Sequence, residues 1–209
     1  MRERRYVVAL TGASGAVYGR RLVECLAPTG ATVHLVVSDA ATKVIHHELG
    51  MLLDPADGPG IARAFLGEEP ANVRVHPYKD LEQAVASGSY AHDGMAICPC
   101  STGTLGRIAS GASTNLIERA ADVCLKERRR LVLVPRETPL SLIHIQNMLT
   151  LTQAGAIVLP ATPGFYAKND SVDRLVDFVV SRVLDHLGVE NSLMQRYGEP
   201  AARKHPEDE

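Results

Sequence analysis

Apolar and polar positions along the chain predict strands and helices in regular alternation. The clearest unit is residues 6–26, YVVALTGASGAVYGRRLVECL, where a short apolar run, a stretch of small residues and apolar positions at helical spacing follow one another. Such a unit predicts a strand, a tight turn and a helix. Further strands are predicted at 32–37, 72–76, 93–98, 131–134 and 156–159. This alternation is typical of an α/β, Rossmann-like, three-layer fold with a doubly wound, mainly parallel sheet, and 209 residues fit a single domain.

Helices are predicted between these strands, and two segments are expected to lie outside regular structure. The helices are expected at 39–49, 80–86, 104–109, 115–128, 140–153 and 171–187. Residues 53–60, LDPADGPG, contain two prolines and two glycines and predict a surface loop, either a plain connector or a lid. The chain becomes polar after Gly188, so we assign residues 1–190 to the domain and 191–209 to a C-terminal tail.

The turn after the first strand offers a place for a phosphate. Its small residues let a ligand approach backbone N–H groups at the start of a helix, where the helix dipole favours an anion. Its glycines, Gly12, Gly15 and Gly19, do not match the dinucleotide fingerprint G-x-G-x-x-G, and the Tyr-x-x-x-Lys pair of short-chain dehydrogenases does not occur. The turn therefore favours a mononucleotide. A turn that only allows close packing of helix and strand is the alternative.

Small polar residues also follow two other predicted strands. Ser38 follows the second strand. In the expected strand order 3-2-1-4-5-6 the first and fourth strands are neighbours, and their carboxyl ends meet at the crevice where such sheets bind ligands. Hydroxyl and N–H groups there suit a flavin or its ribityl chain. The residues that follow the fourth strand and Pro99 are Ser101, Thr102, Gly103 and Thr104.

A cationic group is the second predicted pocket. Arg136 and Glu137 follow the fifth strand and stand between two prolines, whose restricted dihedral angles make this segment stiff. We expect Lys126, Arg182 and the phenol of Tyr166 to join Arg136 at the same edge of the sheet. A mixture of guanidinium forks and a lysine ammonium fits the phosphate or carboxylate of a substrate.

Composition excludes several classes of protein. Apolar residues make up 45% of the chain, charged residues 22%, and the formal net charge is -2, so we expect no nucleic-acid partner and no membrane partner. The chain has neither a run of about eighteen apolar residues nor the pattern of a secretory signal, which predicts a cytoplasmic protein. The chain has four cysteines, and no second pair of Cys or His residues stands at the spacing of metal ligands. We therefore expect neither a disulfide framework nor a metal site.

Five stretches of the sequence resemble the UbiX-like flavin prenyltransferase family, formerly described as aromatic acid decarboxylase subunits. They are LTGASGAVYG, the serine in VVSDAA, PCSTGTLGRIASG, NLIERAADVCLKERRRLVLVPRETPLS and PATPGFYAKNDSVDRLVDFVVSRVLD. The RETPLS and NLIERAADV stretches are much more specific than the glycine turn. Thr102 stands where such sequences often carry methionine, and residues 51–72 show no match.

The resemblance implies a homo-oligomeric flavoprotein, by family analogy a dodecamer. It implies that the dimethylallyl group of dimethylallyl phosphate is joined to N5 and C6 of reduced FMN, without a metal, and that the prenylated FMN passes to a UbiD-like decarboxylase. The sequence leaves open whether the monophosphate or the diphosphate is preferred. The resemblance places at FMN the residues Gly12, Ala13, Ser14, Ser38, Ser101, Thr102, Gly103, Thr104 and Arg136.

The same resemblance implies roles at the allyl substrate. It places Tyr166, Arg182 and Lys126 at dimethylallyl phosphate, with Lys126 also counted among the catalytic residues. Glu137 resembles the acid/base residue of the family, and Ser14 and Glu48 are expected to take part in catalysis. Breaking an allylic C–O bond develops negative charge on phosphate, which cationic side chains stabilise.

The sequence leaves two other functions open. A flavin-dependent decarboxylase of the peptidyl-cysteine type would need a catalytic histidine near the first helix, whereas His46 and His47 lie on the second. A non-catalytic flavin carrier would explain the small-residue turns but would leave the RETP segment and Arg182 without a role.

Overall fold

The structure, a computed structural model, describes residues 2–165 and 171–194. One sheet of six strands has the order β3-β2-β1-β4-β5-β6, and all its neighbouring strands are parallel. The predicted α/β fold, the doubly wound sheet and its strand order are therefore confirmed. The strands are β1 Arg5–Leu10, β2 Thr32–Val37, β3 Val73–His76, β4 Gly94–Cys100, β5 Leu131–Pro135 and β6 Ile157–Val158.

Helices connect these strands, and several begin at the polar residues that the sequence singles out. The Oγ of Ser38 accepts a hydrogen bond from the N–H of Ala41, and that of Ser101 accepts one from Thr104, so each serine caps the helix that follows it. The helices are α1 Ala16–Leu26, α2 Asp39–Leu49, α3 Gly58–Leu66, α4 Thr102–Ala109, α5 Leu116–Lys126, α6 Leu142–Gln153 and α7 Val172–Leu187.

The sheet is buried on both faces. Along β1, Val8 and Leu10 face a layer formed by α1, α2, α3 and α7, whereas Val7 and Ala9 face a layer that includes α4, α5 and Leu151 of α6. This burial explains why the strands are continuous apolar runs rather than alternating ones. It also leaves the carboxyl ends of the strands as the edge where polar groups collect.

Residues 53–60 are not all loop, because α3 begins at Gly58. Asp57 caps this helix through the N–H of Gly60, and Pro59 occupies the first turn, where its missing N–H does no harm. Ile61 and Phe65 are each 1% exposed, so α3 is part of the core. The prediction was wrong because two glycines and a proline were interpreted as helix breakers.

The predicted helix at 80–86 and the end of β4 also differ from the prediction. Residues 80–86 form only a single 3-10 turn, Ala84–Ala86, rather than a helix. Strand β4 continues beyond Cys98 through Pro99 to Cys100, because its pairing with β5 shifts register between Ile97 and Cys100 and accommodates the proline.

Tyr166 and residues 195–209 lie outside the described residues, so the domain boundary at residue 190 stays a prediction. None of the helices in the described ranges is both long enough and apolar enough to cross a bilayer.

Candidate functional site

Thr11 joins the first and fourth strands at the point where the strand order reverses. Its Oγ1 donates a hydrogen bond to the carbonyl oxygen of Pro99 (3.0 Å) and accepts one from the N–H of Ser101 (2.7 Å). Its own N–H donates to the same Pro99 oxygen (3.1 Å), and the side chain is buried. One hydroxyl therefore fixes the turn after β1 against the segment that starts α4.

Ser38 and Gly12 bring the end of β2 to the same place. The N–H of Ser38 donates to the carbonyl oxygen of Leu10 (3.1 Å), and Ser38 is 5% exposed. A Cβ on Gly12 would lie 2.6 Å from the Cβ of Ala40, and one on Gly19 would lie 2.3 Å from the carbonyl oxygen of Cys98. These glycines therefore allow close packing as well as leaving space at the turn.

Glu48 occupies the amino end of α1. Its Oε2 accepts hydrogen bonds from the N–H groups of Gly15 (2.9 Å) and Ala16 (2.8 Å), and the Ser14 side chain also bonds to the carboxylate. These backbone groups are the ones that we expected to bind a phosphate, and they bind the chain's own anion instead. The structure thus brings Glu48 and Ser14 together.

The hydrogen bonds to Glu48 keep its carboxyl ionised. Partial burial raises its pKa, but hydrogen bonds from Ser14, Ala16 and Gly15 outweigh that effect and lower the pKa below the usual value of a glutamate. The positive charge of Arg136 acts in the same direction. Glu48 and Arg136 therefore belong to one electrostatic group at the edge of the sheet.

Arg136 follows β5, whose last residue, Pro135, pairs with Cys100 of β4. Its Nε is buried and has no hydrogen-bond partner within the described part of the chain. A buried donor without a partner is destabilising unless a ligand accepts its hydrogen bond. Flavins carry ring carbonyl, ribityl and phosphate oxygens that can accept this hydrogen bond, so this edge fits FMN.

Glu137, the next residue, is exposed, and its Oε1 accepts a hydrogen bond from the N–H of Thr138 (3.1 Å).

The Ser101–Thr104 segment presents its hydroxyl groups beside the Thr11 junction. The Oγ of Ser101 donates to Oγ1 of Thr104 (3.0 Å) while accepting from the Thr104 N–H (3.2 Å). Thr102 is half-buried and Gly103 is exposed. Together with Gly12, Ala13 and Ser14 they line one edge of the sheet.

Lys126 and Arg182 do not lie at this edge within one protomer, so their predicted placement was wrong. Lys126 ends α5, pairs with Glu127 and lies beside Gly88, which precedes β4 and therefore lies toward the amino ends of the strands. Arg182 lies in the second half of α7 and pairs with Asp185 (2.9 Å). The prediction neglected that each helix carries its last residues back across the sheet.

The sequence did not single out Arg107 and Glu118, which lie behind the Ser101–Thr104 segment. Arg107 on α4 pairs with Glu118 on α5, and its Nη2 donates to Oγ1 of Thr104 (3.2 Å). The sequence does contain a pattern that could have identified Glu118, because a helical period places Ile117 and Ala121 in the core and this glutamate lies between them.

Across the described residues, no group of three or more His, Cys, Asp or Glu side chains is arranged to hold a metal ion.

A protein-family model described as Flavoprotein matches residues 1–184. The chain belongs to the flavoprotein family. A relative within it, the flavin prenyltransferase UbiX of Pseudomonas aeruginosa, is 52% identical over 199 residues that cover 93% of this chain and 94% of the relative.

Two solved structures of the family are similar in fold and sequence. AnUbiX (PadA1), crystallised with FMN and dimethylallyl pyrophosphate, gives a TM-score of 0.83 at 43% identity, over 95% of this chain and 99% of that one. A dodecameric FMN-dependent UbiX-like decarboxylase from Escherichia coli O157:H7 gives 0.78 at 40% identity, over 89% and 96%.

Replacing Thr11 tests the junction between β1 and β4. In T11V the Ser101 N–H loses its buried acceptor, and we expect the free energy of unfolding to fall by about 1–3 kcal/mol and FMN to bind more weakly. T11S keeps the hydroxyl and should retain most of both. Urea unfolding and flavin fluorescence titration measure the two effects, and equal results for T11V and T11S would contradict the assignment.

The lowered pKa of Glu48 predicts a pH-dependent stability. Because the folded-state pKa is lowered from the usual value of a glutamate, the ionised carboxylate stabilises the fold at a pH well above that usual value, and this contribution is lost as the pH falls through the folded-state pKa. The stability difference between the wild type and E48Q should therefore be constant from about pH 5 to 7 and shrink in more acidic solution. Urea unfolding over this pH range tests it, and a difference that persists unchanged at low pH would rule it out.

Proposed function

We propose that this protein is a flavin prenyltransferase that joins the dimethylallyl group of dimethylallyl phosphate to N5 and C6 of reduced FMN and releases phosphate. The observation that carries this proposal is the 52% identity, over nearly the full length of both chains, to a relative named for that activity. The geometry supports it, because Arg136 Nε, a buried donor with no partner among the described residues, lies at the edge lined by small residues and hydroxyls.

The proposed flavin site consists of backbone and hydroxyl groups at the carboxyl ends of β1, β2, β4 and β5. Its members are Gly12, Ala13, Ser14, Ser38, Ser101, Thr102, Gly103, Thr104 and Arg136. Reduced FMN supplies an electron-rich ring to the allyl group. The protein holds that ring in place and surrounds it with fixed dipoles that need no reorganisation during the reaction.

The departing phosphate needs positive charge, and Arg136 is a cation that each protomer supplies at its own edge. We propose that Lys126, Arg182 and Tyr166 complete the phosphate pocket from neighbouring copies, because Lys126 and Arg182 lie away from the edge in one protomer. Cations stabilise the charge that develops as the C–O bond breaks and its electron pair stays on phosphate.

An exposed apolar surface on α6 supports assembly with copies of the same chain. Leu142 is 68% exposed, Ile143 67%, Ile145 50% and Leu149 56%. Contiguous apolar surface of this kind marks an interaction site, and α6 starts just after Arg136 and Glu137. We propose that a second copy covers this surface and thereby approaches the flavin edge. The dodecameric relative suggests that the complete assembly is a dodecamer.

Glu137 is the proposed acid/base residue. Forming the bond to C6 releases a proton, and a carboxylate at the edge can accept it and pass it to the departing phosphate. The Thr138 N–H holds one carboxylate oxygen of Glu137 and leaves the other available. Ser14 and Glu48, joined at the amino end of α1, act beside it.

We propose that the product, prenylated FMN, is handed to a UbiD-like decarboxylase and that the protein works in the cytoplasm. Its four cysteines are free thiols, as in proteins of a reducing compartment.

A flavin carrier would bind FMN and leave its mass unchanged, and a peptidyl-cysteine decarboxylase would not consume dimethylallyl phosphate.

Mass spectrometry of the flavin separates these functions. After reduction of the FMN-loaded protein and addition of dimethylallyl phosphate, the flavin should gain one five-carbon unit, with chelator present as well as without it. E137Q should slow this conversion by about 10²–10⁴-fold while FMN affinity stays unchanged, because it removes only the proton acceptor. An unmodified flavin would refute the proposed activity, and full turnover by E137Q would refute the role of Glu137.

Co-expressing two inactive variants tests whether copies share the pocket. K126A and E137Q should each be nearly inactive, whereas a mixed oligomer should recover part of the activity, since an edge carrying Glu137 can meet Lys126 of another copy. R136Q with E137Q is the matched control: both changes lie on one edge, so no pocket is complete. Failure of the K126A and E137Q pair to recover activity would contradict sharing.

A further inference from the structure

Two stacked histidines lie on the face of the sheet that is crossed by residues 77–93, the connection from β3 to β4. His34 stands in the middle of β2 and is 2% exposed, and His76 ends β3. Their ring centroids are 5.0 Å apart, and Nδ1 of His34 lies 2.7 Å from Nε2 of His76. Nε2 of His34 lies 2.8 Å from the hydroxyl of Tyr90, which belongs to the connection. This histidine pair therefore joins two strands of the sheet to the connection.

The hydrogen bonds around the histidine pair run in a single direction. A hydrogen bond from Gln83 lowers the pKa of Asp80, so this carboxylate is ionised and only accepts, and the donor is Nε2 of Gln83 (2.5 Å). The amide oxygen of Gln83 then faces Nδ1 of His76 (2.7 Å), which must donate. With one proton on each ring, Nε2 of His76 accepts from His34, and Nε2 of His34 accepts from Tyr90. Both imidazoles are thus neutral, and all their ring nitrogens are used.

An additional proton is incompatible with this arrangement. On Nε2 of His76 it would set two N–H donors against each other, and on His34 it would place a charge in the core. Burial lowers the pKa of His34 to about 3, and burial also lowers the pKa of His76 although the bond to Gln83 opposes it. The titratable and charged groups around the pair are Arg5 on β1, Arg74 on β3, Asp80, Tyr90 and His92 on the connection, and Cys124 on α5, which contacts His92.

The connection has little regular structure of its own. It passes from β3 to β4 across β2 and β1, a crossover that is usually a helix, yet residues 77–93 contain only one 3-10 turn. Helix α5 holds it by contacts that do not respond to acid. Arg129 donates to the carbonyl oxygen of Tyr90 (2.8 Å), and the N–H of Leu116 donates to that of Tyr78 (3.0 Å). The attachment through the histidine pair is different, because it requires uncharged rings.

We propose that the His34–His76 pair is an acid-sensitive lock on the connection between β3 and β4. While both rings are neutral, the hydrogen bonds that run from Tyr90 to Asp80 fix the connection against β2 and β3. Protonation breaks these bonds at the pair, and the connection separates from the sheet at Gln83 and Tyr90 while α5 keeps its own contacts.

The direction of the pH effect follows from where the rings take up protons. In the open form the two histidines titrate near the ordinary pKa of about 6.5, whereas the closed form takes up protons only in stronger acid. Opening therefore becomes more favourable as the pH falls below about 6.5, by about a factor of ten per pH unit for each proton taken up. Above that pH the lock stays closed.

Hydrogen exchange of the intact protein at about pH 7.5 and about pH 5.5, corrected for the intrinsic effect of pH on exchange, tests the lock. Hydrogen-bonded amides of residues 77–90, such as those of Asp80 and Ala86, should lose protection by at least about tenfold, and by up to about a hundredfold if both rings take up a proton. Amides of β1 and β5 should keep their protection. The measurement needs no flavin, so its result does not depend on the proposed function.

Variants of the histidines assign the effect to the pair. H34Q/H76Q removes both titrating rings and should reduce the pH effect on residues 77–90 to less than about twofold. H76Q should lower it to at most about tenfold, because glutamine can accept and donate in place of the ring but takes up no proton. H92Q is the matched control, since His92 is a histidine of the same connection, 4% exposed, outside this series of hydrogen bonds. It should keep the wild-type response.

Three results would overturn the lock. The first is equal protection of residues 77–90 at both pH values in the wild type. The second is a loss of protection that extends equally to β1 and β5, which would indicate global unfolding. The third is an H92Q variant that loses the response as fully as H34Q/H76Q. If the double variant does not fold, H76Q decides alone, because His76 lies at the half-buried end of β3, and a response as large as that of the wild type would contradict the proposal.

Discussion

The functional edge of this protein depends on how β1 and β4 are held together where the strand order reverses. Parallel strands on either side of that point lead their helices to opposite faces, which leaves a crevice at the carboxyl ends. The buried Thr11 hydroxyl spans it by bonding both to Pro99 and to Ser101. The glycine turn after β1, the start of α4 and the Arg136 segment after β5 all take their positions from this junction. Without it, the polar groups would belong to separate loops.

Charge then decides what each part of the crevice can bind. The amino end of α1, which by dipole alone would attract a phosphate, holds the carboxylate of Glu48 instead. Positive groups lie on the other side, where no residue in the described part of the chain accepts from Nε of Arg136 and where Arg107 is anchored by Glu118. These opposite charges lie on the two sides of the crevice that we propose for the flavin.

The sequence predicted the features that depend on neighbouring residues. It failed for features that depend on how far a helix carries the chain across the sheet. Apolar runs and the small polar residues that follow them, such as Ser38 and Ser101, identified the strands and the edge, since periodicity acts within a few residues. Lys126 and Arg182 were misplaced because a helix of eleven residues moves the chain by about 16 Å, back toward the opposite edge. Helix α3 was missed because its Gly-Pro-Gly start resembles a loop, whereas the cap by Asp57 and the core contacts of Ile61 and Phe65 stabilise it. The burial of Glu118 follows from the packing of α5, which local pattern does not specify.

The most direct test of this account is an experimentally determined structure of the protein with FMN bound. The account predicts a flavin in the crevice between the turn after β1 and the start of α4, with Nε of Arg136 donating a hydrogen bond to it. A flavin bound away from this edge, or one that leaves Arg136 Nε without an acceptor, would contradict it.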